Sequence, residues 1–498
     1  MDAEPSKPMS AATLQRAFWQ TAEATRATFI VDADEYFRAA RSAMLQAKRR
    51  ILLIGWDFDA RIHFAGDGQD EGPPTVGAFI SWLVKQSPLL EIHILRWDTG
   101  ALTTLFHGRT LLTLLRWMRD PQIHLKLDGH HPVAASHHQK VVVIDDCVAF
   151  CGGIDMTRER WDTRAHRDSE PRRITPAGRP HGPWHDAAMV LEGPIAGALG
   201  DACRERWRAA GGRAFDPVVG GRDCWPAGLA ADFVNVPVGI SRTLPQMDDQ
   251  EPVHEIEALY VTLIARARRL IYAESQYFAS RRVAEAIARR LDEPDGPEIV
   301  IVNPTTANGW LEPIAMDTAR ARLVSELRKR DVHGRFRLYH PFTAEGVPIY
   351  VHAKVTVIDD EVLRVGSSNF NNRSLRLDTE CDVTIDAPSA PDVGVERVIA
   401  DIRDGLLAEH LGATREAVAS KMVETGSLIA SIAALQTSGR SLRDYELPEL
   451  TAAGEWLADT ELLDPEGPDA MFEPLSRRRG LLFHLRHRHR GRSRHRRA

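Results

Sequence analysis

The chain has 498 residues, of which 43% are hydrophobic and 27% are charged, so it can form two domains of about 200 residues that each bury a core. No stretch approaches the roughly 20 apolar residues that a membrane-spanning helix requires. The first twenty residues also lack the basic start and apolar run of a signal peptide. We therefore expect a cytoplasmic protein.

The charge is unevenly distributed along the chain. The net charge is −6, but the tail from Arg477 to Ala498 contains ten arginines and no acidic residue, so that removing those ten charges leaves −16 for the rest. A body of that charge is unsuited to binding DNA along its surface, and we expect no nucleic-acid partner. The tail itself admits three interpretations: a solvated disordered end, an anchor for anionic lipids, or a nucleic-acid binder. Apolar residues among its arginines favour contact with the inner face of a membrane.

The first half of the chain alternates predicted helices and strands after a flexible leader over residues 1–27. A helix begins at Asp34, which is a suitable N-cap, and its apolar residues recur at helical spacing. Residues 51–56 form a short apolar run, typical of a strand covered on both faces. The elements that follow are helix 76–86, strand 90–95, helix 109–118, strand 123–127, strand 138–145 and its short return at 148–151.

The second half repeats this order, which indicates an α/β fold with parallel-rich sheets and helices on both faces. Its predicted helices span 255–268, 282–291 and 313–329, and its strands span 270–273, 298–302, 336–339 and 352–359. We predict two tandem α/β/α sandwich halves related by a pseudo-twofold axis and sharing one site. The boundaries are 28–215 and 251–411 for the halves, 216–250 for a Gly/Pro-rich linker, 412–472 for a helical extension and 473–498 for the disordered tail.

One motif occurs in both halves, 214 residues apart. The first copy is His138-x-Lys140-x-x-x-x-Asp145, and the second is His352-x-Lys354-x-x-x-x-Asp359. Each copy lies on a Val/Ile run and is followed, after six residues, by a small-residue turn: Gly152-Gly153-Ile154-Asp155 in the first half and Gly366-Ser367-Ser368-Asn369 in the second. Two copies with the same spacing are a far more specific signal than one.

The residue types of the motif suit a phosphate diester. On a strand, the His and the Lys of each copy point to one face, whereas the Asp, at an odd offset, points to the other and would anchor the hairpin end. If the halves pack about a pseudo-twofold axis, two imidazoles and two ammonium groups meet. One imidazole can attack phosphorus and the other can protonate the leaving alkoxide, which requires their pKa values to be pushed apart. From the residues alone the two roles are interchangeable.

The doubled motif resembles that of the phospholipase D superfamily, in its lipid-cleaving and cardiolipin synthase-like branch. Gly55-Trp56-Asp57, residues 271–278 and Asn371-Asn372-Arg373-Ser374 strengthen the resemblance. It implies that His138 is the nucleophile, forming a phosphohistidine, and that His352 is the general acid. It also places Lys140, Lys354, Asp145 and Asp359 in the catalytic motif.

Further residues complete the predicted site. Asn369 and the backbone at Gly153 and Ser367 are expected to bind the substrate phosphate. Asp155 occupies the position of Asn369 in the first copy, and a carboxylate is a poor phosphate ligand. Asp186 and Glu380 are the candidates to orient the two histidines, since each imidazole needs an acceptor on its other nitrogen.

We expect no metal ion and no cofactor. The run from His130 to His138 has the appearance of a metal cluster, but the ammonium group of Lys140 would repel a dication. The five cysteines are scattered and are expected to be free thiols. The aromatic residues Tyr277, Phe278 and Trp310 either line a lipid entrance or belong to the core.

The predicted function is therefore the hydrolysis of glycerophospholipids to phosphatidate and a free alcohol, with transphosphatidylation when an alcohol replaces water. A cardiolipin synthase-like phosphatidyltransferase and a nucleic-acid phosphodiesterase of the same superfamily are the alternatives, followed by a non-catalytic binding protein. The expected partner is the phospholipid itself, and we expect a monomer.

Overall fold

The computed structural model describes residues 14–64, 71–98, 108–132, 135–220, 223–307, 312–390 and 394–448, with backbone alone at 108–112 and 312–315. The predicted basic tail, the end of the helical extension and Trp310 lie outside the described residues. Within them, no helix is both long and apolar enough to cross a membrane.

The first half begins with a long strand and ends with a long helix. Its elements are β1 (Gln20–Val31), α1 (Asp32–Gln46), β2 (Arg50–Gly55), α2 (Val76–Gln86), β3 (Glu91–Trp97), α3 (Gly108–Trp117), β4 (Ile123–Asp128), β5 (Val141–Ile144), β6 (Val148–Gly152), β7 (Trp184–His185), β8 (Ala187–Glu192) and α4 (Pro194–Ala209).

The second half repeats this order and adds two α-helices and a strand at its end. Its elements are β9 (Phe233–Leu244), β10 (Val253–His254), α5 (Glu255–Arg266), β11 (Leu270–Glu274), α6 (Arg281–Leu291), β12 (Glu298–Val302), α7 (Glu312–Arg330), β13 (Phe336–Phe342), β14 (Tyr350–Val351), β15 (Val355–Ile358), β16 (Val362–Gly366), a π-helical turn (Arg373–Leu377), β17 (Glu380–Asp386), a 3-10 turn (Ala387–Ser389), α8 (Val395–Leu411), α9 (Arg415–Thr425), α10 (Leu428–Leu435) and β18 (Ser441–Asp444).

One continuous sheet runs through both halves, in the order β18-β13-β12-β11-β15-β16-β17-β9-β1-β8-β6-β5-β2-β3-β4, with β10 paired to β9. The antiparallel pair β1–β9 lies at its centre, with Ala24 opposite Val236. From that pair outwards the two sides have the same sequence of strands, and the outer strands β2, β3 and β4, like β11, β12 and β13, are parallel. The predicted α/β class and pseudo-twofold arrangement are confirmed.

Both faces of the sheet are covered, which explains why runs such as residues 51–54 of β2 and 299–302 of β12 are apolar throughout. On β2, Leu52 and Ile54 pack in a core that extends across both halves and includes α4, α8 and α10. The alternate residues Ile51 and Leu53 pack in a second core with α1 and α2. A third core lies between the second half of the sheet and α5, α6 and α7.

The central strands differ most from the sequence-based expectation. Residues 1–27, predicted as a flexible leader, include the start of β1, and residues 216–250, predicted as a linker, include β9. Both strands carry polar and charged residues, so they lack the apolar run that marks β2. The motif strands are shorter than predicted, because β5 begins at Val141 and β15 at Val355. The five cysteines are free thiols, as predicted.

Candidate active site

Both motif histidines lie just before a strand and are held by the backbone of the opposite half. The N–H of His138 donates to the carbonyl of Thr379 (3.0 Å), immediately before β17. The N–H of His352 donates to the carbonyl of His185 (2.7 Å), immediately before Asp186 and β8. Each motif therefore crosses the pseudo-twofold axis to contact its partner half, which brings two residues 214 positions apart into one site.

The predicted orienting acids are paired with the histidines in a crossed pattern. Nδ1 of His138 lies 3.1 Å from both carboxylate oxygens of Glu380, and Nδ1 of His352 lies 2.7 Å from Oδ2 of Asp186. Each acid belongs to the half opposite its histidine, which linear spacing did not reveal. With Nδ1 engaged, Nε2 of each imidazole is the nitrogen left for chemistry.

The two lysines have the same backbone contact but different neighbours. Nζ of Lys140 donates to the carbonyl of His138 (2.9 Å) and lies 3.2 Å from Oδ2 of Asp155. Nζ of Lys354 donates to the carbonyl of His352 and lies 3.5 Å from Oε1 of Gln276. Within the described residues, no carboxylate lies within 4.0 Å of Nζ of Lys354.

Burial dominates the electrostatics of the site. Desolvation, followed by the charge of the lysines, lowers the pKa of both His138 and His352 well below the usual value. Desolvation also lowers the pKa of Lys354 to about 7. The two histidine pKa values are thus shifted in the same direction, whereas the sequence analysis expected them to be pushed apart. An anionic phosphate would reverse this shift, because negative charge favours the imidazolium form.

The orienting carboxyls respond to burial in the opposite sense. Desolvation raises the pKa of Asp186 to about 6 and that of Glu380 well above its usual range. Glu380 is held by the hydroxyl groups of Ser367 and Ser374, which donate to its two oxygens. Glu380 is therefore held at both of its carboxylate oxygens in addition to its contact with His138.

Asp145 and Asp359 lie away from the other motif residues, as anchors. Each carboxylate accepts three consecutive backbone N–H groups at distances of 2.6–2.8 Å: those of residues 48–50 for Asp145 and 268–270 for Asp359. Both residues have positive φ and lie five positions beyond the lysine, about 16 Å along the strand. These contacts lock each hairpin to the start of β2 or β11, as the strand geometry predicted for the two aspartates of the motif.

Two of the three predicted phosphate ligands have other partners. The N–H of Gly153 donates to the carbonyl of Ala187 (2.9 Å), and a Cβ at this position would lie 2.1 Å from Oδ1 of Asp186. Gly153 is therefore needed for the close approach of Asp186. The N–H of Ser367 donates to the carbonyl of Cys381 and to Asp382, and its hydroxyl to Glu380.

Asn369 remains the phosphate-ligand candidate of the three. It is 2% exposed, and its amide oxygen has no hydrogen-bond partner in the described structure. Rotation of the amide about its C–C bond exchanges that oxygen for an NH2 group, which donates two hydrogen bonds. The side chain thus has unused capacity for a ligand.

An aromatic and cationic wall beside His352 was missed by the sequence analysis. The ring of Trp184 lies 5.1 Å from that of His352 and 4.6 Å from that of Tyr350, between centroids. The guanidinium group of Arg160 lies 4.0 Å above the Trp184 ring, and its charge helps to lower the pKa of His352. Trp184 precedes Asp186 by two residues, and this adjacency was the one available signal.

The other candidate residues from the sequence lie in different environments and contact different partners. His130, His131 and His137 contact different partners, namely Asp249, Asp98 and Thr379, and do not converge on one point. Phe278 is 1% exposed and packs in the core of the second half. The hydroxyl of Tyr277 accepts from Gln276, close to Lys354.

Comparison with known proteins gives the same division into halves. Residues 43–220 match a family model described as phospholipase D, and residues 260–396 match one described as cardiolipin synthase, PLD-like domain. The chain is 23% identical to phospholipase D A of Dictyostelium discoideum over 77% of its length, and 22% identical to phospholipase D alpha 1 of Carica papaya over 74%. It spans 35% and 63% of those two relatives.

A solved structure shares the fold. The phosphatidylserine synthase of Haemophilus influenzae aligns with a TM-score of 0.54 and 13% identity, covering 85% of this chain and 97% of its own. At that identity the likeness concerns the fold, and it supports the arrangement of two halves around one central strand pair.

Proposed function

The chain belongs to the phospholipase D superfamily, and on that premise we propose that it cleaves the distal phosphodiester bond of glycerophospholipids by a reaction that uses no metal ion. The observation behind the proposal is the pair of histidines, each oriented by an acid of the opposite half. A site of this composition provides a nucleophile, a proton donor and two cations within one small volume.

The reaction proceeds in two displacements. Nε2 of His138 attacks phosphorus, the bond to the head-group oxygen breaks, and Nε2 of His352 donates its proton to the departing oxygen. Water then attacks the phosphohistidine while His352, now neutral, takes a proton from it, and the phosphorus–nitrogen bond breaks to release phosphatidate. The assignment of attacker and acid follows the family resemblance.

The substrate phosphate is held by groups with spare capacity. Lys354 has no carboxylate beside it within the described residues, and Asn369 has an unpartnered amide oxygen. Arg160 lies near enough to act on both His352 and Lys354. These three side chains can contact the non-bridging oxygens, whereas the charge of Lys140 is balanced by Asp155.

The experiment incubates the purified protein with phosphatidylcholine and phosphatidylglycerol, with and without a chelator, and identifies the products by mass spectrometry. We expect phosphatidate and free head group in both conditions. His340→Gln is the matched control for substitutions of His138 and His352. His340 is a buried histidine of the second half, but its ring bonds to the carbonyl of Asn303. Absence of phosphatidate, or cleavage of nucleic acid in preference to lipid, would refute the proposal.

Phosphatidyl transfer is the second candidate, supported by the match of residues 260–396 to the cardiolipin synthase-like model. An alcohol that replaces water in the second displacement receives the phosphatidyl group. Adding glycerol or phosphatidylglycerol as acceptor separates the two activities. A transferase forms the new phosphodiester at the expense of phosphatidate, whereas a hydrolase continues to release phosphatidate.

The location and assembly of the protein are part of the proposal. We expect a monomer in the cytoplasm that contacts anionic membranes through its basic tail, which lies outside the described residues. Flotation with vesicles containing an anionic lipid, compared with vesicles of neutral lipid and with a variant ending at Phe472, tests this contact. Equal binding of both forms to both vesicles would argue against it.

A further inference from the structure

A second cluster of titratable side chains lies behind His352 and Asp186, separate from the groups that face the substrate. It comprises Asp32, His166, His185 and Glu409, from the start of α1, the loop before β7, β7 itself and α8. One ligand atom from each lies within 4.8 Å of all the others. The four side chains are 2% exposed or less, so the cluster is enclosed by protein.

Two of the distances between these atoms match those of a metal coordination sphere, and two are shorter. Nε2 of His166 lies 3.0 Å from Oε1 of Glu409 and 3.4 Å from Oδ2 of Asp32. Nδ1 of His185 lies 2.8 Å from Oε1 of Glu409 and 3.4 Å from Oδ1 of Asp32. Nitrogen and oxygen ligands around a tetrahedral zinc ion are separated by about 3.4 Å, given bond lengths of about 2.1 Å.

Two buried atoms of the cluster face ion-pair partners at 2.8–3.4 Å but make no hydrogen bond of normal geometry with them. They are Oδ2 of Asp32 and Nδ1 of His185. Buried polar atoms are nearly always paired, because the loss of hydration is otherwise uncompensated. A metal ion at the centre of the cluster would bind both atoms.

The outer nitrogens of both histidines contact carboxylates. Nδ1 of His166 lies 2.9 Å from Oδ2 of Asp162, and Nε2 of His185 lies 2.7 Å from Oε2 of Glu274. Glu274 in turn contacts His410 (2.9 Å) and the hydroxyl of Tyr272 (2.5 Å). Carboxylate–histidine–metal triads of this kind fix the tautomer and orientation of the ligating ring.

The charge of the region can accommodate a dication. Four carboxylates meet here, those of Asp32, Asp162, Glu274 and Glu409. Two arginines form direct ion pairs with them: Arg173 with Asp162 (3.2 Å) and Arg164 with Glu409 (2.7 Å). A third arginine, Arg440, bonds instead to the carbonyls of residues 164 and 165. Two negative charges are left for a bound dication, or two imidazolium ions, to balance.

We propose that Asp32, His166, His185 and Glu409 bind one divalent transition-metal ion, with Zn2+ as the best fit. Four protein ligands fill a tetrahedral sphere and leave no position for substrate or water, so the ion is structural. It is distinct from the lipid-cleaving reaction, in which no step uses it. The choice of zinc follows from the donor set of two imidazoles and two carboxylates, which suits this ion.

The ion would join the element that orients His352 to three other parts of the chain. The N–H of Asp186 donates to Oδ1 of Asp32 (3.0 Å), and the N–H of Asp32 donates to the carbonyl of Asp186 (2.8 Å). The carbonyl of His185 accepts from the N–H of His352. In the second half the position of His185 is occupied by Thr379, so no equivalent histidine is present there.

The test measures the metal content of the full-length protein, purified without a histidine tag after growth in zinc-supplemented medium. We expect about one metal ion per chain, retained through gel filtration with a mild chelator and released to a chromogenic chelator only on unfolding. Substitution with Co2+ during refolding should produce the visible absorption of a tetrahedral site. A folded wild-type protein without stoichiometric metal would overturn the proposal.

Asp32→Asn is the sharpest variant. It keeps an oxygen for the N–H of Asp186 and tolerates the positive φ of this residue, but it removes the carboxylate charge and replaces the unpartnered oxygen. We expect a loss of affinity for the metal of tenfold or more and a lower melting temperature. His340→Gln is the matched control and should retain its metal. An affinity of Asp32→Asn equal to that of the wild type, measured by competition with a chelator of known affinity, would contradict the assignment.

Discussion

The two halves of the active site share their backbone geometry and differ in the charge placed beside each lysine. Lys140 is paired with Asp155, whereas Lys354 lies beside Gln276, and the position of Asp155 is occupied in the second half by Asn369. Desolvation lowers the pKa of Lys354 to about 7 although the charge of Asp186 opposes the shift, and no carboxylate of the described residues lies within 4.0 Å of its Nζ. A duplicated scaffold thus yields a neutralised cation on one side and an available one on the other, which fits a reaction whose two histidines have unequal roles.

Among the substitutions that test this comparison, removing either histidine should have the largest effect on turnover. We expect His138→Ala and His352→Ala each to lower turnover of phosphatidylcholine by about 10³-fold or more, because a nucleophile or a proton donor is lost. A phospholipid analogue with a nitrophenol leaving group separates the roles, since nitrophenolate departs without protonation. His352→Ala should then release a burst of nitrophenolate, and His138→Ala should not; the reverse result would exchange the assignments.

Replacing the orienting acids should have the next largest effect on turnover, and each substitution should act on the histidine of the opposite half. We expect Glu380→Gln and Asp186→Asn each to lower turnover by about 10²-fold, because a misoriented imidazole is an ineffective base or acid. With the nitrophenyl analogue, Asp186→Asn, which acts through His352, should regain the first displacement and release a burst of nitrophenolate, whereas Glu380→Gln should not. If both variants or neither variant regained activity on the analogue, the two acids would not orient the histidines that they contact.

Exchanging the neighbours of the lysines should have a smaller, pH-dependent effect. Lys354 loses its proton as the pH rises through about 7, so kcat/KM of the wild type should fall on the alkaline side. Asn369→Asp places a carboxylate in the position that Asp155 has in the first half and should move this fall to higher pH, with kcat/KM about tenfold lower at neutral pH. An unchanged pH profile would show that Lys354 does not bind the phosphate.

The anchors should affect stability rather than chemistry. Asp145→Asn and Asp359→Asn each weaken three charge-assisted hydrogen bonds to backbone N–H groups, which should lower the free energy of unfolding by about 1–3 kcal/mol. Chemical denaturation measures this effect, with the exposed Asp295→Asn as control. Because the two anchors are equivalent, a much larger loss at one of them would break the symmetry seen in the fold.

The sequence was sufficient to predict the α/β class, the duplication and the outer strands. Runs such as Ile51–Ile54 and Ile299–Val302 are apolar because both faces of the sheet are covered, so their pattern is local. The central strands β1 and β9 were not predicted, because they contain polar residues such as Glu23 and Asn235 that local propensity assigns to loops. Their strand structure depends on pairing with each other.

What the sequence determined by itself was the identity of the chemical groups: two His/Lys pairs at one spacing, and two acids downstream. Which acid meets which histidine was decided only by the tertiary structure, because the crossing occurs where the halves meet about the pseudo-twofold axis. The same holds for the cluster of Asp32, His166, His185 and Glu409, whose members span 378 positions of the chain. Residues so far apart have no spacing to recognise, and burial in a common core is what brings their charges together.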